Sequence, residues 1–400
     1  MTKRLVQGNE AVLLGAIRAG ASYFAGYPIS PSSEILAQAS KYAAAHPEFR
    51  FLQAEDEIAS ANAILGGSLA GAKSFTATSG PGFSLMQEAI GYGHKIGIPA
   101  VIVNVMRVGP ATGMPTMPGQ GDLNQSRYGS TGDYTSFVFY PSTVAECYEY
   151  TIHAFNAAEE SRSPVVILSD AFLGHLNEVV DLDEIKVPVV KRTIPPLASG
   201  GTRLFSGVAT YPDGEPATAD SDEFIRQYEE MREMRRKVAE RYAFHEYGWN
   251  KESDTLVIAF GITRRVAQPL APHFALFRPI RIWPTLDDEL GAIAPSYKKI
   301  IVIEGSDGQY ANVVERMLLR RVERVPLLGG RMSLEAIREG LDRIGMLPKE
   351  SPPKGAGAPA ESGAKAPAKP KAKAPAKADA KASAAAAKAS ATDAKASAAG

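Results

Sequence analysis

Four hundred residues, 45% of them hydrophobic and 22% charged, exceed what one hydrophobic core usually accommodates and describe a globular protein of two domains with extras, not a disordered or fibrous chain. The 44 basic and 44 acidic residues cancel, which argues against a broadly basic nucleic-acid binder, although the average conceals a basic C-terminus. A single cysteine, Cys147, excludes an intrachain disulfide framework and a four-cysteine iron–sulfur cluster held by this chain alone.

From the N-terminus, Gln7, Asn9 and Glu10 interrupt any apolar run and no small-residue cleavage site follows, so the segment does not read as a signal peptide. Gly, Lys or Arg breaks every candidate membrane span, and a cytoplasmic protein is expected. Residues 9–19 and 32–45 are expected as helices flanking a short strand at 23–26. Strands are then expected at 51–53, 74–78, 100–105 and 165–169, with helices at 58–72, 85–96 and 143–161 between them. Strands spaced by helices imply an α/β domain over 1–185 with a mostly parallel sheet covered on both faces. The stretch 186–250 reads as a linker, irregular over 187–216 and then a charged helix over 222–242 with one buried stripe. A second α/β domain over 251–348 opens on TLVIAFG at Thr255, continues through 280–283 and 299–304, and closes with helices at 310–321 and 333–344. The remainder, 349–400, is almost wholly Ala, Lys, Pro, Ser and Gly; from Ser351 its nine lysines against Glu361, Asp379 and Asp393 make it basic, and it is expected as a disordered, solvated tail.

In doubly wound sheets, ligands bind beyond the carboxyl ends of the strands, so the loops there hold the candidate chemistry. In GYPISPSSE (26–34) two prolines fix the backbone around Ser30, while Ser32 or Ser33 can cap the following helix. In QAEDEIASANA (53–63) acids precede a helix of small residues; this suits the helix dipole, but Glu57, flanked by Ile58 and Ala59, is expected to be poorly solvated, with a raised pKa fit for proton exchange. The helix that follows carries Gly66, Gly67, Ala70 and Gly71, which permit close approach by a cofactor or another helix. TATSGPG (76–82) runs from a strand into hydroxyls and glycines, a turn able to bind anions or ring edges through backbone N–H groups. RVGPATGMPT (107–116) places Arg107 after the strand expected to end at Val105, where it can grip a carboxylate or simply tie the loop down. The six histidines, His46, His94, His153, His175, His245 and His273, are scattered without metal-site spacing, and no metal ligand is assigned.

Together GYPISPSSE, QAEDEIASANA, TATSGPGFSLMQE and RVGPATGMPT resemble, in order and spacing over about residues 5–345, the pyrimidine-binding α subunits of the 2-oxoacid:ferredoxin oxidoreductases, nearest to those acting on 2-oxoglutarate. That resemblance implies a thiamine-diphosphate-binding type of parallel-sheet domain and a transketolase C-terminal-like α/β domain. It implies that Glu57 meets the aminopyrimidine of thiamine diphosphate, that Ser30 and Arg107 hold the substrate acid, and that Thr78 and Ser79 lie beside the cofactor. Two positions depart from the family pattern: Ser30 stands where Thr is common, and Glu304-Gly305-Ser306-Asp307-Gly308-Gln309 has Ser306 in place of Asn.

No Gly-Asp-Gly segment for Mg²⁺ and the diphosphate is present, Gly121-Asp122-Leu123 being no match. A partner β subunit is therefore expected to bring Mg²⁺, the diphosphate site and an iron–sulfur cluster, with ferredoxin, CoA and a 2-oxoacid as further partners and further small subunits in the assembly. Branched-chain 2-oxoacids and pyruvate remain as alternative substrates. A non-redox decarboxylase subunit and a non-catalytic assembly protein remain as alternative functions.

Overall fold

A computed structural model of the chain describes residues 3–200 and 206–348; the segment expected as a tail lies outside them. The first sheet is built on three runs that are buried almost end to end, Ser74–Thr78, Ala100–Val108 and Pro164–Asp170. Uninterrupted apolar strands of this kind are stable only when both faces are covered, which is why they lie side by side at the centre. Tyr23–Gly26 and Arg50–Gln53 extend the sheet on one side and Phe137–Phe139 on the other, all parallel to their neighbours. Met114–Pro118 turns back antiparallel on the end of the long central strand.

Helices Gly8–Arg18 and Val144–Ser161 cover one face. They cross closely at Gly15, where a side chain would stand 2.5 Å from the Tyr148 carbonyl oxygen. The charged helix runs Ser221–Arg241 and, as its pattern suggests, buries a narrow stripe, at Arg235 and Val238. The buried guanidinium of Arg235 is stitched to backbone, donating to the carbonyl of His94 at 2.7 Å and to those of Ser161 and Arg162 at 3.3 Å.

The second sheet has four parallel strands, Ala275–Pro279, Thr255–Ala259, Lys299–Glu304 and Glu323–Pro326, with antiparallel His245–Trp249 on its edge. It thus begins at His245, inside the stretch read as linker. The single strand expected at 280–283 is two strands of different allegiance. Ala275–Pro279 belongs to the second sheet, whereas Arg281–Trp283 pairs antiparallel with Phe137–Phe139 and closes the edge of the first. Arg281 secures this crossing by donating to the carbonyls of Pro284 at 2.8 Å and Thr285 at 3.0 Å. No helix among the described residues is long and apolar enough to cross a membrane.

Where the two sheets meet, the Asp170 carboxyl is fully buried and accepts from Tyr140 Oη at 2.7 Å and from the N–H groups of Phe172 and Leu173 at 3.0 Å. Burial pushes its pKa up from 3.8 to about 6, the hydrogen bonds opposing the shift. The folded state therefore holds this proton more tightly than the unfolded chain. The resulting stability is fully present below pH 3.8 and is lost as pH rises through about 6. Asp170→Asn removes that dependence, so the Tm advantage of the wild type over the variant should shrink as pH rises through this window. A difference in Tm that stays constant from acid to neutral pH would show that Asp170 does not titrate between the two states.

Candidate functional site

Strand ends and helix starts converge at the carboxyl edge of the first sheet. Helix Glu57–Leu69 is capped by Asp56, whose side chain accepts from Ala59 N–H at 2.7 Å. This cap fixes Glu57 as the first helical residue and turns its side chain inward, leaving it 5% exposed while Ile58 is 48% exposed. The neighbour Ile58 therefore does not desolvate the carboxyl as its sequence position suggests. The cover comes from the turn after strand Ser74–Thr78. A side chain at Gly82 would stand 2.3 Å from both Glu57 Oε1 and Thr78 Oγ1, so the absent Cβ is what lets the carboxyl occupy this place. Burial raises the Glu57 pKa, with a hydrogen bond to its own backbone N–H and the charge of Arg107 opposing and Asp56 reinforcing the shift.

Thr78 and Ser79 are fully buried, and neither Oγ has a hydrogen-bond partner. Ser79 precedes helix Gly80–Leu85 but makes no side-chain cap. The helix expected at 85–96 runs Gln87–Ile96, and Gly80–Leu85 is a separate short helix ahead of it. Two buried hydroxyls without partners, that of Thr78 close to the Glu57 carboxyl, are costly to leave unpaired, and a polar ring edge or amine is the kind of group that would satisfy them.

Arg107 lies on the central strand, which continues to Val108, and not in the loop beyond it. Its Nη1 donates to the Ser30 carbonyl at 2.6 Å, and its buried Nε has no partner. Burial lowers the guanidinium pKa, and the negative charges of Asp122 and Glu57 oppose this. The contact with Ser30 thus runs through the backbone, and the Ser30 side chain is exposed. Neither Ser32 nor Ser33 caps the following helix through its side chain: Ser32 precedes it but donates to the Ile29 carbonyl at 2.9 Å. The Asn9 amide fastens this loop, donating to Pro31 O at 2.9 Å and Glu34 Oε2 at 3.0 Å.

The glycines of the helix after Glu57 serve a different end from the one their sequence suggests. Gly67 accommodates the Tyr23 ring, 2.2 Å from where its Cβ would stand, and Gly66 faces open space. Two further residues that sequence reasoning did not take as site residues belong to the cluster. Asn104 interrupts the apolar run 100–106, and its Nδ2 donates to Asp122 Oδ2 at 2.9 Å while its own Oδ1 is unpaired. A polar residue inside a buried strand is the signal that could have revealed it. Asp122, considered only as part of a metal motif, has its pKa raised by burial, with Asn104 and Arg107 opposing.

Gly82→Ala forces a methyl group into the Glu57 carboxyl and should cost about 1–3 kcal/mol of stability, as overpacking does. Gly66→Ala, with open space around it, should instead stabilise its helix by about 0.5–1 kcal/mol. Chemical denaturation of the two variants checks both, and equal effects would refute the close-approach argument.

Residues 14–247 match the family model for pyruvate flavodoxin/ferredoxin oxidoreductases, thiamine-diphosphate-binding. The 2-oxoglutarate synthase subunit KorA of Archaeoglobus fulgidus is 38% identical over 356 residues, 85% of this chain and 98% of that one. The ketoisovalerate oxidoreductase subunit VorB of Methanothermobacter thermautotrophicus is 34% identical over 86% of this chain and 97% of that one. Among solved structures, the 2-oxoglutarate:ferredoxin oxidoreductase from Magnetococcus marinus, with 2-oxoglutarate, coenzyme A and succinyl-CoA bound, superimposes with a TM-score of 0.77 at 29% identity over 86% of this chain; the match spans 65% of that chain's length. The motifs at the strand ends, the parallel sheet that carries them and these likenesses agree, and the chain belongs to the thiamine-diphosphate-binding family of pyruvate flavodoxin/ferredoxin oxidoreductases.

Proposed function

We propose that this chain is the pyrimidine-binding subunit of a 2-oxoglutarate:ferredoxin oxidoreductase, which converts 2-oxoglutarate and CoA to succinyl-CoA and CO₂ and passes the electrons to ferredoxin. The observation that carries the reading is the buried Glu57 carboxyl set against the Thr78–Gly82 turn, which opens on the unpaired hydroxyls of Thr78, close to that carboxyl, and Ser79. These groups fit the aminopyrimidine of thiamine diphosphate: a carboxyl with a raised pKa donates to and recovers a proton from a ring nitrogen, and the hydroxyls meet polar ring edges. When bound, that cofactor supplies the carbanion chemistry. Glu57 holds and moves the proton, and burial keeps water from competing for it. Arg107, with one unpartnered N–H and its guanidinium fixed to the Ser30 loop, is assigned to the substrate carboxylate, and Ser30 to the rim of the same pocket.

On this reading residues 1–185 form the pyrimidine-binding unit, and the chain from His245, where the second sheet starts, to 348 forms the transketolase C-terminal-like one. A β subunit brings the diphosphate site, Mg²⁺ and an iron–sulfur cluster, since one cysteine cannot ligate such a cluster. The active site then forms between chains in the cytoplasm. The substrate assignment draws on the relatives named 2-oxoglutarate synthase; the similarity to a ketoisovalerate oxidoreductase subunit supports branched-chain 2-oxoacids as a second reading.

Purification with the partner subunit and an assay of CoA-dependent viologen reduction over a panel of 2-oxoacids test the assignment, and 2-oxoglutarate should give the highest kcat/KM. A preference for 2-oxoisovalerate would move the chain to the second reading. Glu57→Gln should lower kcat about 100-fold or more, in line with loss of acid–base catalysis, and a rate near wild type would remove the proton role. Arg107→Ala should raise the KM for the 2-oxoacid about tenfold to a hundredfold, the worth of a charge-assisted contact, while affecting kcat less.

A further inference from the structure

The cluster holds a second buried carboxyl that the reading above leaves without a task. Asp122 precedes helix Leu123–Tyr128, where an aspartate ordinarily caps the helix, yet it makes no cap bond. Its side chain points instead to Asn104 and lies 3.8 Å from where a Gly80 Cβ would stand. Glu57 occupies the corresponding place beside Gly82, so the two carboxyls flank a single glycine turn. Arg107 interacts electrostatically with both and, among the described residues, closes an ion pair with neither. In a poorly solvated site, a guanidinium between two carboxylates collapses onto one of them unless the other pulls back or a fixed bond restrains it.

The backbone on either side of Asp122 is held from the C-terminal half of the chain. The Gln309 amide spans it, donating to Gly121 O at 2.6 Å and accepting from Asn124 N–H at 3.0 Å. Gln120 exchanges two bonds with Gly305, its N–H donating to Gly305 O at 3.0 Å and its Oε1 accepting from Gly305 N–H at 2.7 Å. Trp283 Nε1 donates to Leu123 O at 3.0 Å. The Gly305–Gln309 loop is itself shaped by Glu304, whose carboxylate accepts from Ser306 Oγ and from the N–H groups of Tyr310 at 3.0 Å and Ala311 at 2.9 Å. Five hydrogen bonds on the four residues that flank Asp122 are more than a surface loop needs for its own order, and they all bear on the place of one carboxyl.

We infer that Asp122 is a positioning residue for Arg107: its carboxylate keeps the guanidinium from closing onto Glu57, and the second sheet, through Gln309, holds it in place. The inference rests on the roles proposed for Arg107 and Glu57. It gives the C-terminal half a part in the chemistry beyond assembly. Without the Asp122 charge, Glu57 becomes the remaining carboxylate for Arg107. The guanidinium is then withdrawn from the substrate, and Glu57 becomes more acidic. The charged groups that act on the two carboxyls are Arg107 and Asp56 for Glu57, and Arg107 for Asp122.

The test uses the reconstituted complex with its partner subunit. Asp122→Asn keeps the volume and an acceptor for Asn104 but removes the charge. It should raise the KM for the 2-oxoacid about tenfold, the loss of one charge-assisted contact. It should also move the alkaline limb of the kcat profile about one unit lower, as an opposite charge closing on Glu57 requires. Asp122→Glu should recover part of both effects, and Gln309→Ala should change both in the same direction with the complex intact by size-exclusion chromatography. Should Asp122→Asn fail to assemble, Gln309→Ala carries the same two readouts. A wild-type KM and a wild-type limb, alongside the expected defects of Glu57→Gln and Arg107→Ala, overturn this inference alone. If those two variants also behave as wild type, the underlying site reading falls with it.

Discussion

Everything at the carboxyl edge of the first sheet depends on keeping opposite charges apart in a place where they attract strongly. Each ionisable group is fastened to a different part of the framework. Glu57 is fixed by the Asp56 cap at a helix start and by a turn without side chains. Arg107 is fixed by its place on the central strand and by the Ser30 carbonyl, a neutral acceptor that spends one N–H without spending the charge. The fold thus holds a set of unsatisfied polar groups open, and the apolar strands beneath supply the rigidity this requires.

Three of the features that make the site were legible in the sequence because each has a local cause. The central strands announce themselves as apolar runs, and the prolines and glycines at their ends mark loops. Glu57 stands out because an acid at a helix start followed by small residues is a compact pattern. What was not legible depends on tertiary pairing. Arg281–Trp283 is three residues long and carries no periodicity that tells which sheet it joins. The partner of Phe137–Phe139 lies 140 residues and more away in sequence, and only the fold brings the two together. Arg107 was placed beyond its strand because a cation after an apolar run looks like a terminus, whereas the antiparallel return of Met114–Pro118 extends the pairing. Asp122 and Asn104 were passed over because their relation is a hydrogen bond across eighteen positions, visible only once Ala100–Val108 and the loop before Leu123 stand side by side.

The site is also one-sided. On the proposed reading Glu57, Thr78, Ser79 and Arg107 would provide a proton carrier, ring contacts and a carboxylate grip, all from a single sheet edge. A cofactor with a diphosphate at its far end needs a second set of groups opposite. The exposed apolar side chains of Tyr27, Leu52, Ile58, Leu85 and Met114 lie on the elements that carry or adjoin the site residues in sequence, which is where a covering surface would bring those groups.

The crossing of Arg281–Trp283 from the second sheet to the first constrains how such a chain can be divided. A break anywhere between the two sheets leaves Phe137–Phe139 as a bare edge, with its amides and carbonyls open to pairing with another molecule. The halves are therefore not interchangeable cassettes. Gene fission within this chain would have to pass through an aggregation-prone intermediate, and any recombination that swaps the C-terminal half must bring with it a strand that fits the first sheet.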